Sequence, residues 1–315
     1  MRECAEQCSN LEGFIVTHNA SGYTGANLIP AICENLAANY ANKVKCCVSG
    51  FEKNPKYQQA VNSALSLVSS IENVDLSICM DNQSLHKICR RNLELSAPSL
   101  QDYNRLVAYF LSSFTSPMRH SGSLNASLID IASNLQPYPK IHYSIPSVVP
   151  ILSMSKMNFK TLDTQTLTNS LFLNDNQFLD CDLDSGKYVS CYLGYQGSGF
   201  SITDIYNSVS KMCRTMKFVD YCEPERFKLS LNSFPPFSSF LQKNSTNVVC
   251  RLCNTTSINL LFKDIEAKLS QPNQINQVEG DIMKARENLL CLIKDYDEVG
   301  VDFISEDKNV ENEDS

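Results

Sequence analysis

Apolar positions in the first hundred residues fall into two rhythms. The runs "GFIVT" (Gly13 to Thr17), "KVKCCV" (Lys43 to Val48) and "VDLSICM" (Val74 to Met80) have strand length, and Val74, Leu76, Ile78 and Met80 share one face of the last. Between them Leu28, Ile32 and Leu36 recur at every fourth position after Asn27, and a second helical stretch runs from about Asn62 to Ser70. Strand and helix in alternation predict an α/β layer on a largely parallel sheet, with ligands at the carboxyl ends of the strands. The turn from Ser21 to Ala26 and the pair Asp81 and Asn82 fall at two such ends.

From Asp102 to Met118 the spacing of Leu106, Phe110 and Phe114, widened by Val107 and Leu111, predicts a long helix that Pro117 ends. Beyond it the period changes. "KIHYSI", "KYVSCYLG", "MKFVDY", "FKLSL" and "NVVCRLC" read as strands around one helix, Thr203 to Met212, which predicts a second, α+β domain. Asn254, Thr255 and Thr256 are candidate caps of a further helix. Asp281 to Glu298 carries Ile282, Ala285, Leu289, Leu292, Ile293 and Tyr296 on one stripe, so both of these helices are expected on the surface of the second domain. The expected division is 1–101, 102–118 (core helix), 119–253, 254–304 and an acidic, disordered tail 305–315.

Composition narrows the function. With 315 residues, 43% of them apolar, and no run long enough for a bilayer, a globular protein with a substantial core is the default. The start "MRECAEQCSN" has no apolar segment of a secretory signal. A net charge of −7 argues against a basic face for nucleic acid. The 14 cysteines suggest free thiols in a reducing compartment, and the single CxxC of Cys250 and Cys253 lacks the second ligand pair that zinc requires.

The stretch "HNASGYTGAN" (His18 to Asn27) is a strand end, a glycine turn and a helix start, which fits a phosphate-binding loop or an ordinary turn. Taken alone, Asn82 suits a helix cap, Asn104 a helix surface, and Asp130 a solvated junction between loop and helix.

"DNQSLHKICRRNL" (Asp81 to Leu93), "MREC", "SNLQPYPKIHY" (Ser133 to Tyr143), "KFVDYC" (Lys217 to Cys222), "CNTTSI" (Cys253 to Ile258) and "KDYDEVGVD" (Lys294 to Asp302) occur in one order, and in that order the chain resembles the tubulins. The start, the long stretch between Pro236 and Cys253, and "DYDEVGVD" resemble the α type. The implied fold is the remnant of a Rossmann-like GTPase domain, a long core helix, and an α+β domain with C-terminal surface helices. By this resemblance most of the N-terminal nucleotide-binding half, with three phosphate and magnesium loops, is skipped between Cys4 and Ala5, and a shorter deletion falls in "KLSQPNQINQV" (Lys268 to Val278).

The family's phosphate signature, Gly-Gly-Gly-Thr-Gly-Ser-Gly, is matched here by Ser21 to Asn27. Gly22, Thr24 and Gly25 are kept, but Tyr23 stands where a phosphate needs close approach, so the loop reads as a decayed one. Asn82 and Asn104 match the family's base-reading asparagines; Leu100 replaces its stacking tyrosine, and Gln59 or a neighbour its ribose glutamate. Asp130 matches the acid that an α subunit turns toward the nucleotide of a neighbouring β subunit, although it is one methylene shorter, and Ser127 replaces a second acid.

The resemblance implies GTP as cofactor with a degraded cradle, and magnesium only with the missing N-terminal segment. It also implies β-tubulin and the microtubule polymer as partners in the cytoplasm and cytoskeleton. Basic motors or associated proteins would be drawn by Glu306, Asp307, Glu311, Glu313 and Asp314, with no nucleic-acid or membrane partner. Turnover by this chain alone is not expected. Three readings stand at this point: a divergent α-tubulin-like structural subunit, a nonpolymerising interaction protein, and an incomplete gene model or decaying duplicate.

Overall fold

A computed structural model describes residues 2–153, 163–219, 226–236, 247–270 and 280–301. The acidic tail, most of the stretch from Pro236 to the last strand, most of "KLSQPNQINQV" and the end of "KFVDYC" lie outside the described residues.

The strands are β1 (Gly13–Asn19), β2 (Val44–Phe51), β3 (Leu76–Asp81), β4 (Tyr143–Val149), β5 (Tyr188–Gly197), β6 (Phe227–Asn232) and β7 (Asn247–Thr255). Among the described residues they form one sheet in the order β1-β2-β3-β4-β7-β5-β6. β1 to β4 run parallel, β7 is antiparallel to both its neighbours, and β6 is parallel to β5. The sheet therefore changes from the α/β to the α+β pattern at β4.

Two layers of helix cover it. On one face α4 (Asn82–Arg91), α5 (Leu100–Phe114) and α7 (Leu128–Leu135) bury Ile88, Phe110, Phe114 and Ile131 on Val48, Ile78, Tyr192 and Leu252. On the other, α3 (Tyr57–Asn73), α10 (Asn259–Leu269) and α11 (Gly280–Val299) bury Leu67, Phe262, Leu289 and Tyr296 on Cys79, Tyr143 and Cys253. A further cluster seats α8 (Thr164–Leu171) and α9 (Ile202–Thr215) on Leu193, Tyr195 and Val249. The two C-terminal helices were expected over the second domain alone; they also pack on α3 of the first half, because their apolar stripes meet Ala60, Ala64 and Leu67.

β3 and β4 pair through only two positions, Ser77 with Tyr143 and Ile78 with Ser144. Tyr143 spans this narrow joint. Its N–H donates to the Tyr296 hydroxyl (3.3 Å), and its own hydroxyl meets Ser70 Oγ (2.7 Å) and the Leu67 carbonyl (3.2 Å).

Several expected elements shift for local reasons. The buried stripe of α2 (Tyr23–Asn39) is Ala26, Ile29, Cys33 and Leu36, while Leu28 is 54% exposed, because the helix turns its face one step from the spacing of Leu28, Ile32 and Leu36. α5 starts at Leu100, since Ser99 and Asp102 form its capping box, and ends at Thr115; Pro117 belongs to a separate turn, α6 (Ser116–Arg119), and does not terminate the long helix. In β3, Leu76, Ile78 and Met80 share one face as expected, but Ser77 and Cys79 opposite are equally buried, and Val74 lies before the strand under α2. Asn254 does not cap a helix, because its amide donates to the Leu135 and Ile141 carbonyls, both at 2.8 Å. Thr255 does the capping, accepting from Ser257 N. The described part of "MKFVDY" contributes one bridge, Phe218 to Tyr188.

Arg251 on β7 is fully buried between Ser147 and Leu193, with its guanidinium 4.8 Å over the Phe172 ring and, among the described residues, no hydrogen-bond partner for Nε, Nη1 or Nη2. An unpaired buried cation is costly, and the ring only partly offsets its desolvation. Arg251→Met is therefore expected to raise the free energy of unfolding by about 1–4 kcal/mol, read as a higher urea midpoint with an unchanged slope.

His142, fully buried, is pushed down to about 4 by burial. An unfolded histidine titrates near 6.5, so the unfolded chain binds the proton first, and stability present above about pH 6.5 is lost as pH falls toward 4. His142→Phe should make the stability profile less steep between those values, as read from urea midpoints at a series of pH.

Candidate functional site

At the carboxyl end of β1 the backbone enters α2 through Ala20 to Gly22. Asn19 holds this turn, its side-chain oxygen accepting from Ser21 N (3.0 Å) and its carbonyl from Gly22 N (3.2 Å). Ala20 N donates to the Gly50 carbonyl (2.8 Å), the Asn62 amide donates to the Ser21 carbonyl (3.2 Å), and Ser21 Oγ accepts from Glu52 N (2.9 Å) while meeting Ser63 Oγ (3.0 Å). The polar groups of Ser21 are thus tied to β2 and α3. A Cβ at Gly25 would lie 2.2 Å from the Asn19 carbonyl oxygen, so Gly25 is required by the contact of α2 with this turn; at Gly22 the nearest atom would be 3.5 Å away. Tyr23 is 79% exposed, and the turn leads into a first helical turn, with Thr24 and Gly25, that has no side-chain cap.

Beside this turn a cleft of about 500 Å³ opens between the ends of β1, β2 and β3 and one face of α5. It is lined by Asn19, Gly50, Asn82, Leu100, Tyr103 and Asn104, with Met80, Val107 and Leu111 as its apolar part. Asn82 and Asn104 are therefore brought to one cavity, whereas Gly22, Thr24 and Gly25 do not line it. Leu100 is 72% exposed, and the aromatic surface comes one helical turn later from Tyr103, whose hydroxyl meets His86 Nδ1 at 2.8 Å. Sequence reasoning missed Tyr103, although its spacing of three from Leu100 puts both on one face of α5.

Gln59 does not face the cleft as a ribose acceptor, because its side-chain oxygen accepts from Lys56 N (2.9 Å) at the start of α3. Glu52 is the nearer carboxylate, 3.5 Å from the Asn82 amide, and the order of residues gave no pattern for it. Asp81 is buried and caps α4, accepting from Ser84 N (2.6 Å), while its other oxygen accepts from Asp180 N (2.7 Å). Lys53 and Lys87 both bond Asp180, which draws the nearby ammonium groups onto a protein carboxylate. His18, at the same end of β1, is pushed down to about 4 by burial. The cleft suits a flat polar heterocycle between carboxamides and a ring. Of the groups at the turn that could meet a phosphate, those of Asn19 and Ser21 are engaged within the protein and Lys53 and Lys87 are paired with Asp180, so the uncapped first turn of α2 is what remains.

Asp130 lies at the other end of the sheet. The start of β1 meets α7 there, with Leu128 N donating to Glu12 Oε2 (3.1 Å), so cleft and acid are separated by the length of β1, about 20 Å. Asp130 is the third residue of α7, and its Oδ2 accepts from both Ser127 N (2.9 Å) and Ser127 Oγ (2.7 Å), while Ser127 Oγ accepts from Asp130 N (3.2 Å). These bonds from Ser127 hold the carboxyl below the usual range. Ser127 and Asp130, read separately in the sequence, thus form one reciprocal cap.

Residues 1–90 match the GTPase domain of the tubulin/FtsZ family, and residues 139–267 match the tubulin C-terminal domain. The two matches take in most of the chain, the first holding the strand ends and Asn82 of the cleft but not its α5 wall, and the second holding β4, β5, β6 and β7. The chain belongs to the tubulin family. Among the described residues no helix is long and apolar enough to cross a membrane, and no three His, Cys, Asp or Glu side chains group as a metal site.

Ser127→Ala should cost about 1 kcal/mol by uncapping α7. Because the Asp130 carboxyl is lowered on folding, its contribution is present above the unfolded value near 3.9 and lost as pH falls through the folded one. Asp130→Asn is expected to abolish that acid-side dependence in chemical denaturation; an unchanged pH profile would show the capping box to be energetically silent.

Proposed function

We propose that this chain is an α-type tubulin-like subunit that pairs with β-tubulin and joins the microtubule as a structural component of the cytoskeleton, with nucleotide recognition reduced to the base. The observation that carries this reading is the placement of the cleft and Asp130 at opposite ends of the parallel strands. Head-to-tail stacking joins unlike ends, so one subunit's acid comes to its neighbour's nucleotide. Asp130 has the residue type and helix position for such a role, acting in trans on the GTP held by a β subunit, with Oδ1 left outside the capping bonds. The seven-stranded sheet with its C-terminal helices supplies a rigid body for longitudinal contact.

GTP is the family's ligand, and Asn82, Asn104 and Tyr103 are the groups that would meet its base. Gly22, Thr24 and Gly25 are the remnant of its phosphate loop, beside a turn held by the bonds of Asn19 and Ser21. This chain carries out no turnover of its own on this reading, and the resident site contributes structure at most. The engaged phosphate turn favours a second reading, a nonpolymerising protein of the tubulin family whose second half binds a partner.

Co-sedimentation separates the two. Purified chain mixed with polymerising tubulin should enter the pellet in proportion to polymer and should release less than one equivalent of guanine nucleotide when denatured. Chain that stays wholly in the supernatant beside abundant polymer would leave only the second reading. Within polymer, Asp130→Ala should slow hydrolysis at the contacts it makes by about 100-fold or more, the usual contribution of a positioned general base.

A further inference from the structure

α2 is a weakly secured helix over the smallest of the apolar clusters. Pro30 lies inside it and removes one backbone donor, Gly22 provides no side-chain cap, and neither end turn carries a charge that complements the helix dipole. Its Ile29 and Cys33 pack with Cys47 and Val74 beneath it, edged by Val16 and by its own Ile32. Cys33 Sγ and Cys47 Sγ are 3.8 Å apart, the one sulfur–sulfur contact among the described residues. Cys33 comes from the buried stripe of α2 and Cys47 from β2, 14 positions on in the chain, so the contact joins helix to sheet.

We propose that Cys33 and Cys47 are a redox modification site, converted by a small disulfide such as oxidised glutathione into an intramolecular disulfide that staples α2 to β2. Cys33 is the attacking group. The hydrogen bond from Cys47 lowers its thiol, whereas the same bond and burial raise Cys47. The Cys33 thiolate attacks one sulfur of oxidised glutathione, breaking that S–S bond and releasing a glutathione thiolate, which takes up a proton. Cys47 then gives up its proton and attacks Cys33 Sγ in the mixed disulfide, expelling the second glutathione. Two protein thiols are oxidised and one glutathione disulfide is reduced to two thiols.

Burial sets the condition for this reaction. Both sulfurs are shielded in the closed state, so the oxidant enters through local opening of α2, which its proline and missing caps make less costly than global unfolding. Cys191 and Cys253 also face each other across β5 and β7, but lie in the main core beneath α10 and α11, where no comparable local opening is available. The staple would secure the helix whose first turn is the remnant phosphate loop.

The test uses the full chain carrying Cys4→Ser, Cys8→Ser and Cys291→Ser, which removes the exposed described thiols. After incubation with oxidised glutathione, non-reducing peptide mapping should find Cys33 linked to Cys47, and the thermal midpoint should rise by several degrees and return with dithiothreitol. Cys33→Ala and Cys47→Ala, made separately, should each abolish the linkage, while Cys46→Ala, altering the adjacent thiol, should keep it. A stable glutathione adduct on Cys33, a linkage that survives Cys47→Ala, or no linkage at all would each overturn the proposal.

Discussion

The two paired positions between β3 and β4 set the terms for the rest of the molecule. A sheet that crosses from its parallel part to its antiparallel part through Ser77 with Tyr143 and Ile78 with Ser144 has little backbone bonding at the crossing, so side chains must hold it. Tyr143 does this from the middle, bonded to α3 through Ser70 and Leu67 and to α11 through Tyr296. With the ring of Phe262 5.1 Å away, one residue ties three helices to the joint. The cleft at the ends of β1, β2 and β3 lies wholly on the parallel side of this joint.

Periodicity made the elements legible where one face of a helix or strand was buried against a continuous partner. α5 and α11 could be read from their stripes, since Leu106, Phe110 and Phe114, and Leu289, Leu292 and Tyr296, all meet large apolar surfaces. α2 was misread by one step because its cover is small and Ala26 and Cys33 carry little apolar signal. The edges of helices were harder to read, since Asp102 as a third residue and Pro117 as a first-turn residue are opposite in position to what a simple stripe suggests. The packing of the C-terminal helices on α3 joins segments some 200 positions apart, which no local pattern encodes.

The candidate site was legible in part for the same reason. Asn82 and Asn104 reach one cleft because strand ends and the α5 face converge there, a consequence of topology. The groups that decide what the turn can bind are hydrogen bonds of Asn19 and Ser21 to β2 and α3, and these depend on three-dimensional placement. Ser127 and Asp130 show the limit most clearly. Side by side they read as a lost acid and a kept one, yet in space they form a single reciprocal cap.

Placing unlike surfaces at the two ends of parallel strands also gives the molecule a direction. On the proposed reading, a filament built through such ends grows by adding each subunit's competent face to the last, and its growth is limited by the weaker of the two faces. A subunit sound at the Asp130 end and reduced at the cleft end would enter such a filament with two junctions of unequal strength. Each copy would then leave one weak junction in the polymer that holds it, and the number of such junctions would follow the mass of polymer.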